Sequence, residues 1–227
     1  MSAGEFEVRD LGRLGYTQAL ALQRALRLER IAGVLDHDVL LLVEHDPVYT
    51  LGRGTHADSL PVHPDALRRR GAEVVDVERG GDVTWHGPGQ LVGYPIIHLS
   101  RHREDLHWYL RTLEAVLISA LDALGITATT SPGNTGVWVD DRKIASIGIH
   151  VKQWVTLHGF ALNVSPDLTW FGHIVPCGLQ GVVMTSVATE RGVTDTDTLW
   201  ATAMNAVVAA FADAFELDQG ISAKPLR

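Results

Sequence analysis

The chain has one cysteine among its 227 residues, so no disulfide can form within it and the fold must rest on packing alone. A lone thiol fits a reducing compartment, and a cytoplasmic setting is expected. No run reaches the about 18 apolar residues that a membrane-crossing helix needs. The start, MSAGEFEVRDLGRLGY, also lacks the basic and apolar regions of a secretory leader. Positive charge is scarce too. Nineteen Lys and Arg against 27 Asp and Glu leave a net charge of −8, which argues against nucleic acid as a partner. Only two short clusters, Arg68 to Arg70 and Arg101 with Arg103, could offer a local basic patch, and either taken alone reads first as solvated surface.

Several reaction signatures are missing as well. There is no GxxxxGK[ST], and GRGTH at Gly52 to His56 is too short to imply a nucleotide loop. There is no GxSxG nucleophile elbow and no HExxH. Eleven histidines invite a metal set of His86, His150 and His158, but without Cys/His ligand spacing no metal or other cofactor is expected.

What is present is a core-forming chain. At 46% hydrophobic residues, a chain of this length can bury roughly 70 to 75% of its unfolded surface, and one domain over residues 1–227 is expected. Helical stripes at the 3.6-residue period predict helices over 17–35 (Ala21, Ala25, Leu28, Ala32, Leu35, with Arg30 turned away), over 104–124 ended by Gly125, and along Met204, Val208, Phe211 and Phe215. A short helix is expected from Pro64. Strand patterns cover 6–8, 39–43, 73–77, 91–98, 137–139, 143–151 and 155–162. The last three, broken at Asp140-Asp141 and near Gln153, predict an antiparallel meander. The expected fold is α+β, with a mixed, largely antiparallel sheet and packed helices.

Three stretches carry chemistry. RGGDVTWHGPGQ, Arg79 to Gln90, packs four glycines with arginine, threonine, tryptophan and histidine, more specific side chains than a plain connector needs. Cys177, in HIVPCGLQG, sits between Pro176 and Gly178 rather than on an apolar helix face. It is either a packed thiol or a nucleophile, and the second role requires a nearby cation or base. Lys143 leads an apolar strand face shared with Ala145, Ile147, Ile149 and Val151. It either snorkels to water or serves as that base. Gly148 and Gly159, inside strands, predict a ligand or another backbone lying close.

Taken together, these stretches resemble the octanoyltransferases, or lipoyl(octanoyl) transferases, of the lipoate-protein ligase B type, whose fold is lipoate/biotin protein ligase-like. The family signature, RGG, two residues, T, an aromatic, H, one residue, PGQ, is matched from Arg79 to Gln90. KIASIGIHV at Lys143 to Val151, HGFALNV at His158 to Val164, and PCG at Pro176 to Gly178 follow in order, so the likeness covers about residues 5–217. The resemblance implies transfer of an octanoyl group from octanoyl-acyl carrier protein, through a thioester on Cys177, to a lysine of lipoyl domains. These are the lipoyl domains of 2-oxoacid dehydrogenase complexes and the glycine cleavage H protein. Lys143 would act as acid and base. Arg79, Gly80, Gly81, Asp82, Val83, Thr84, Trp85 and His86 would line the acyl pocket with Ser146, Ile147, Gly148, Gly159, Phe160 and Ala161. It also implies a monomer needing no cofactor. Two rivals are kept: an ATP-dependent lipoate or biotin ligase, and a non-catalytic module that binds lipoyl domains or acyl carriers.

Overall fold

Strand and helix alternate first through a parallel crossover, then through hairpins. The computed structural model describes residues 4–175 and 181–223. Strand β1 (Gly4–Arg13) leads through helix α1 (Tyr16–Ile31) to β2 (Asp38–Glu44), parallel to it. A small sheet follows: β3 (Val48–Leu51), α2 (Pro64–Arg69), β4 (Glu73–Asp76) and β5 (Thr84–His86), in the order β4-β3-β5. Next come β6 (Gln90–Ile96), α3 (Leu106–Ala123), β7 (Thr129–Ser131), β8 (Asn134–Val139), β9 (Arg142–Lys152) and β10 (Val155–Asn163). The chain ends with β11 (Val183–Met184), α4 (Val187–Arg191), α5 (Thr196–Ala214) and β12 (Leu217–Ala223). The large sheet runs β12-β1-β2-β6-β10-β9-β8-β7, with β11 beside β9. Only β1 with β2, β1 with β12 and β9 with β11 pair in parallel, so it is mixed and largely antiparallel. No helix among the described residues is long and apolar enough to cross a membrane.

Both sheet faces are covered, and β2 shows why its sequence is a continuous apolar run. Leu40 and Leu42 point to the core under α3 and α5, with Leu113, Leu117, Val207 and Phe211. Val39, Leu41 and Val43 point to the core under α1, with Ala19, Leu20 and Leu26. Side chains that alternate across a strand with helices on both sides leave no polar face.

The expected stripe on α1 is wrong. Ala21, Ala25 and Leu28 face solvent, and the buried line is Tyr16, Ala19, Leu20, Gln23, Leu26 and Arg30. Alanines are small enough to sit on either face and do not mark one. Arg30 is drawn inward by a specific partner: its Nε and Nη2 donate to Asp38 Oδ1 at 3.1 and 2.8 Å. Burial alone would raise the Asp38 pKa, but its bonds to His102 and Arg30 hold it below the usual carboxylate range. On α3 the stripe holds for Leu113, Leu117 and Leu121, while Leu106 is 44% exposed. Gly125, at φ +77°, follows the helix as expected, and Ile126 N–H closes back on Leu121 O. On α5 the buried line is Leu199, Ala203, Val207, Ala210 and Phe211, with Met204 and Val208 at its edge.

Candidate active site

The expected meander forms, and it sets the site. Strand β10 pairs antiparallel with β9, placing Gly159 opposite Gly148, Phe160 opposite Ile147 and Ala161 opposite Ser146. The two glycine-bearing triplets are therefore neighbours in register. Over them lies the loop before β5: Gly80 N–H donates to Ile149 O at 2.8 Å. A Cβ on Gly148 would stand 3.0 Å from Gly80 O, so the close approach of this loop favours glycine there. At Gly159 the close backbone is that of the next strand, since a Cβ would meet Gly93 O at 2.2 Å.

Arg79 anchors the loop from beneath. Its Nη2 donates to Thr50 O at 2.6 Å and to Thr50 Oγ1 at 2.9 Å, and its Nη1 to Gly80 O at 3.1 Å. Asp82 Oδ2 accepts from Ser59 Oγ at 2.5 Å, and Ser59 O accepts from Val175 N–H at 2.9 Å. The stretch Gly52 to His56 cradles this loop, with Arg53 N–H on Arg79 O and Gly54 N–H on Gly81 O, each at 3.0 Å.

Loop and hairpin line a cavity of about 50 Å³. Arg79, Gly81, Asp82, Val83, Thr84 and His86 line one side; Ser146, Ile147, Gly148, Gly159, Phe160 and Ala161 line the other. Gly80 opens instead on an adjoining cavity of about 260 Å³, shared with Gly81, Asp82, Ile147 and Gly148 and lined also by Lys143, Asn134 and Thr135. Trp85 is a correction: its indole faces away, stacked on Trp170 at 5.8 Å under the small sheet. Alternation along β5 sends Trp85 to the side opposite its neighbours Thr84 and His86.

Tyr16, Val92 and Tyr94 complete the first cavity without having been expected there, and His158 joins them. Tyr16 opens α1 and Tyr94 sits in a buried strand, so only tertiary packing reveals them. His158 leads the HGFALNV stretch and belongs to the histidines expected around a pocket rather than on a metal. His86 stacks on Tyr16 with ring centroids 6.0 Å apart. Its Nδ1 lies 2.7 Å from Gln90 Oε1, while Gln90 Nε2 donates to Asn163 Oδ1 at 2.9 Å. That assignment makes Nδ1 the donor and leaves Nε2 as the acceptor. Likewise His45 Nδ1 donates to Leu14 O, so its Nε2 accepts from Tyr94 Oη at 2.8 Å. His158 holds φ at +60°, and both its ring nitrogens are buried without a hydrogen-bond partner. Among the described residues no group of three His, Cys, Asp or Glu could hold a metal ion.

The histidines in and beside the cavity are kept neutral. Burial pushes the pKa of His86 and of His158 down to about 3 and that of His45 to about 4. A histidine with a depressed folded-state pKa contributes stability that is complete above its unfolded value near 6.5. That stability drains as the pH falls toward the folded value, because the unfolded chain takes up protons the folded chain refuses. Thermal melts are therefore expected to drop between pH 7 and pH 5, by on the order of 1–2 kcal/mol per histidine at pH 5. A melting temperature unchanged over that interval would contradict this burial.

Lys143 lies in the adjoining cavity. It is 2% exposed, so it does not snorkel; its Nζ donates to Thr135 O at 3.1 Å and stands 5.3 Å from the Trp138 ring centroid. Cys177, with Pro176 and Gly178, lies outside the described residues. Its described flanks end at Val175, bonded to Ser59 beside Asp82, and at Gly181, two residues before Val183–Met184 pairs with Arg142 and Lys143. The two arginine clusters have local partners: Arg68 pairs with Asp65, Arg103 with Asp105, Arg101 donates to Asp36 O and Arg70 contacts His173.

The model of the lipoyl protein ligase A/B catalytic domain matches residues 15–216. An octanoyltransferase of Gloeobacter violaceus is 53% identical over 182 residues, 80% of each chain. One of Synechococcus elongatus is 48% identical over 221 residues, 96% of this chain and 91% of the other. Among solved structures, a bi-partite lipoate protein ligase of Thermoplasma acidophilum superposes with a TM-score of 0.73 at 18% identity, covering 99% of this chain and 88% of that one. A lipoate-protein ligase A bound with ATP gives 0.74 at 18%, covering 99% and 90%. At such identities the likeness is one of fold.

Proposed function

The chain belongs to the lipoyl protein ligase A/B catalytic-domain family, as an octanoyltransferase, and from that premise we propose that it moves an octanoyl group from acyl carrier protein to a lipoyl-domain lysine through a thioester on Cys177. The acceptors are the lipoyl domains of 2-oxoacid dehydrogenase complexes and the glycine cleavage H protein, and the enzyme acts as a cytoplasmic monomer. The observation that carries the reading is the cavity between the Arg79 to His86 loop and the paired triplets of β9 and β10, with Lys143 in the adjoining cavity. Tyr16, Val92 and Phe160 offer an alkyl chain apolar surface, and uncharged histidines do not penalise it.

The chemistry needs no energy input. Cys177 gives its thiol proton to the Lys143 amine, and the thiolate attacks the donor thioester carbonyl. The carbon–sulfur bond to the carrier then breaks, and the leaving thiolate recovers the proton from Lys143. One thioester replaces another, so positioning and stabilisation of the tetrahedral oxyanion are the enzyme's task. The acceptor amine next attacks the acyl-enzyme and loses a proton to Lys143, and Cys177 leaves and is reprotonated, giving an amide downhill. Water is the competing nucleophile, and the seated acyl chain with the docked partner limits it.

ATP separates this reading from a ligase of the same fold. Octanoyl-carrier mixed with an apo lipoyl domain is expected to give the octanoylated product at the same rate with and without ATP and magnesium. A requirement for nucleotide, or ATP/pyrophosphate exchange with free octanoate, would hand the chain to the ligases.

A further inference from the structure

Beside the acyl cavity, on a protein of net charge −8, lies a corner with a surplus of hydrogen-bond donors and positive charge. His150 sits two residues along β9 from Gly148 on the same strand face, about 7 Å farther out. Arg27 Nη1 approaches its Nδ1 at 3.1 Å, and Arg53 Nη2 approaches its Nε2 at 3.4 Å. A neutral imidazole has one lone pair, so it can accept from only one of these guanidiniums, and the other meets an N–H. Protonation would worsen the conflict. Burial first, then the charges of Arg53 and Arg27, lowers the His150 pKa, and Lys152 adds to them. Arg27 Nε is buried with no hydrogen-bond partner. Among the described residues the acid that faces the group is Glu78, already held by Arg24 through two bonds of 3.0 and 2.8 Å.

Two guanidiniums sharing one acceptor are satisfied by an anion with several acceptor oxygens. The corner also touches the pocket wall, since Arg53 N–H bonds Arg79 O and the Gly80 N–H bonds Ile149 O, next to His150. We propose that Arg53, Arg27, His150 and Lys152 form a binding site for a phosphate ester on the acyl donor, the group joining its thiol arm to the rest of the molecule. The assignment of the phosphate to a donor rests on the octanoyl-transfer reading. The same phosphate occurs on a carrier-protein arm and on coenzyme A, and both would use the site. Arg53 is the residue to change, being exposed and outside the acyl pocket.

The test compares wild type with Arg53→Glu on octanoyl-carrier protein, octanoyl-coenzyme A and octanoyl-pantetheine, which has no phosphate. KM for both phosphorylated donors is expected to rise roughly tenfold with kcat unchanged, while octanoyl-pantetheine is used as before. Titration with 4′-phosphopantetheine, which needs no turnover, should show the same weakening. Unchanged KM for the phosphorylated donors, or an equal loss with octanoyl-pantetheine, would overturn the site. A loss confined to the carrier protein would overturn the phosphate in favour of carboxylates on the carrier's surface. A wild type that transfers octanoate from no donor, yet binds phosphopantetheine in an Arg53-dependent way, would sink the transferase reading and leave the anion site standing.

Discussion

Cys177→Ala should form no octanoyl-enzyme and should lose transfer by on the order of 10⁴-fold or more, since removing a nucleophile deletes the covalent route and leaves only binding. The argument is chemical. Direct attack by a lysine amine on the carrier thioester would need both protein partners docked at one carbonyl at once, whereas a thioester on the enzyme separates the two visits. The chain has a single cysteine, so an adduct stable to denaturation but released by hydroxylamine can be assigned without ambiguity. The described flanks bring the chain to Ser59, beside Asp82 of the cavity wall, on one side and to Arg142 and Lys143 on the other. Wild type mixed with octanoyl-carrier and analysed by intact mass should show the acyl group, and Cys177→Ala should not. An alanine variant that transfers at the wild-type rate would show that the thiol is packing.

How far the sequence discloses this site depends on which signals are local. The hairpins of β8 to β10 are legible because apolar residues alternate along them and turn residues break them. Asp140, Gln153 and Trp154 indeed take positive φ, between 51° and 59°, as tight hairpin turns demand. The small sheet was not legible as a unit. Its strands span three or four residues, and β3 finds β4 only across the loop and helix between Leu51 and Glu73. The wrong face of α1 has a similar origin, because Arg30 is buried only once Asp38 of the next strand is in place. The loop from Arg79 to His86 announced itself through its glycines, but a three-residue strand is too short to say which way Trp85 points. Tyr16 and Tyr94 are drawn from two elements, and nothing in their own neighbourhoods marks them.

Lys143→Met should keep the fold and the thiol but shift the alkylation profile of Cys177 to higher pH and slow transfer by roughly 10²- to 10⁴-fold. Lys143 is 2% exposed, with its stem packed and its Nζ on Thr135 O. Methionine replaces the stem with a similar apolar chain. The cost to stability is then the unsatisfied Thr135 carbonyl, about 1–3 kcal/mol, which a thermal melt can confirm before activity is compared. The activity loss has two parts that a second variant separates. A cation near Cys177 favours thiolate, so its removal should return the thiol toward its reference near ~8.5. A proton carrier is also lost, and Lys143→Arg, whose guanidinium does not release a proton, should recover the low-pH alkylation while leaving transfer impaired. The comparison is between whole profiles rather than single assigned values. Alkylation curves of wild type and Lys143→Met that superimpose from pH 5 to 10 would mean that no charge at position 143 reaches the thiol, and the pairing of Cys177 with Lys143 would have to be given up.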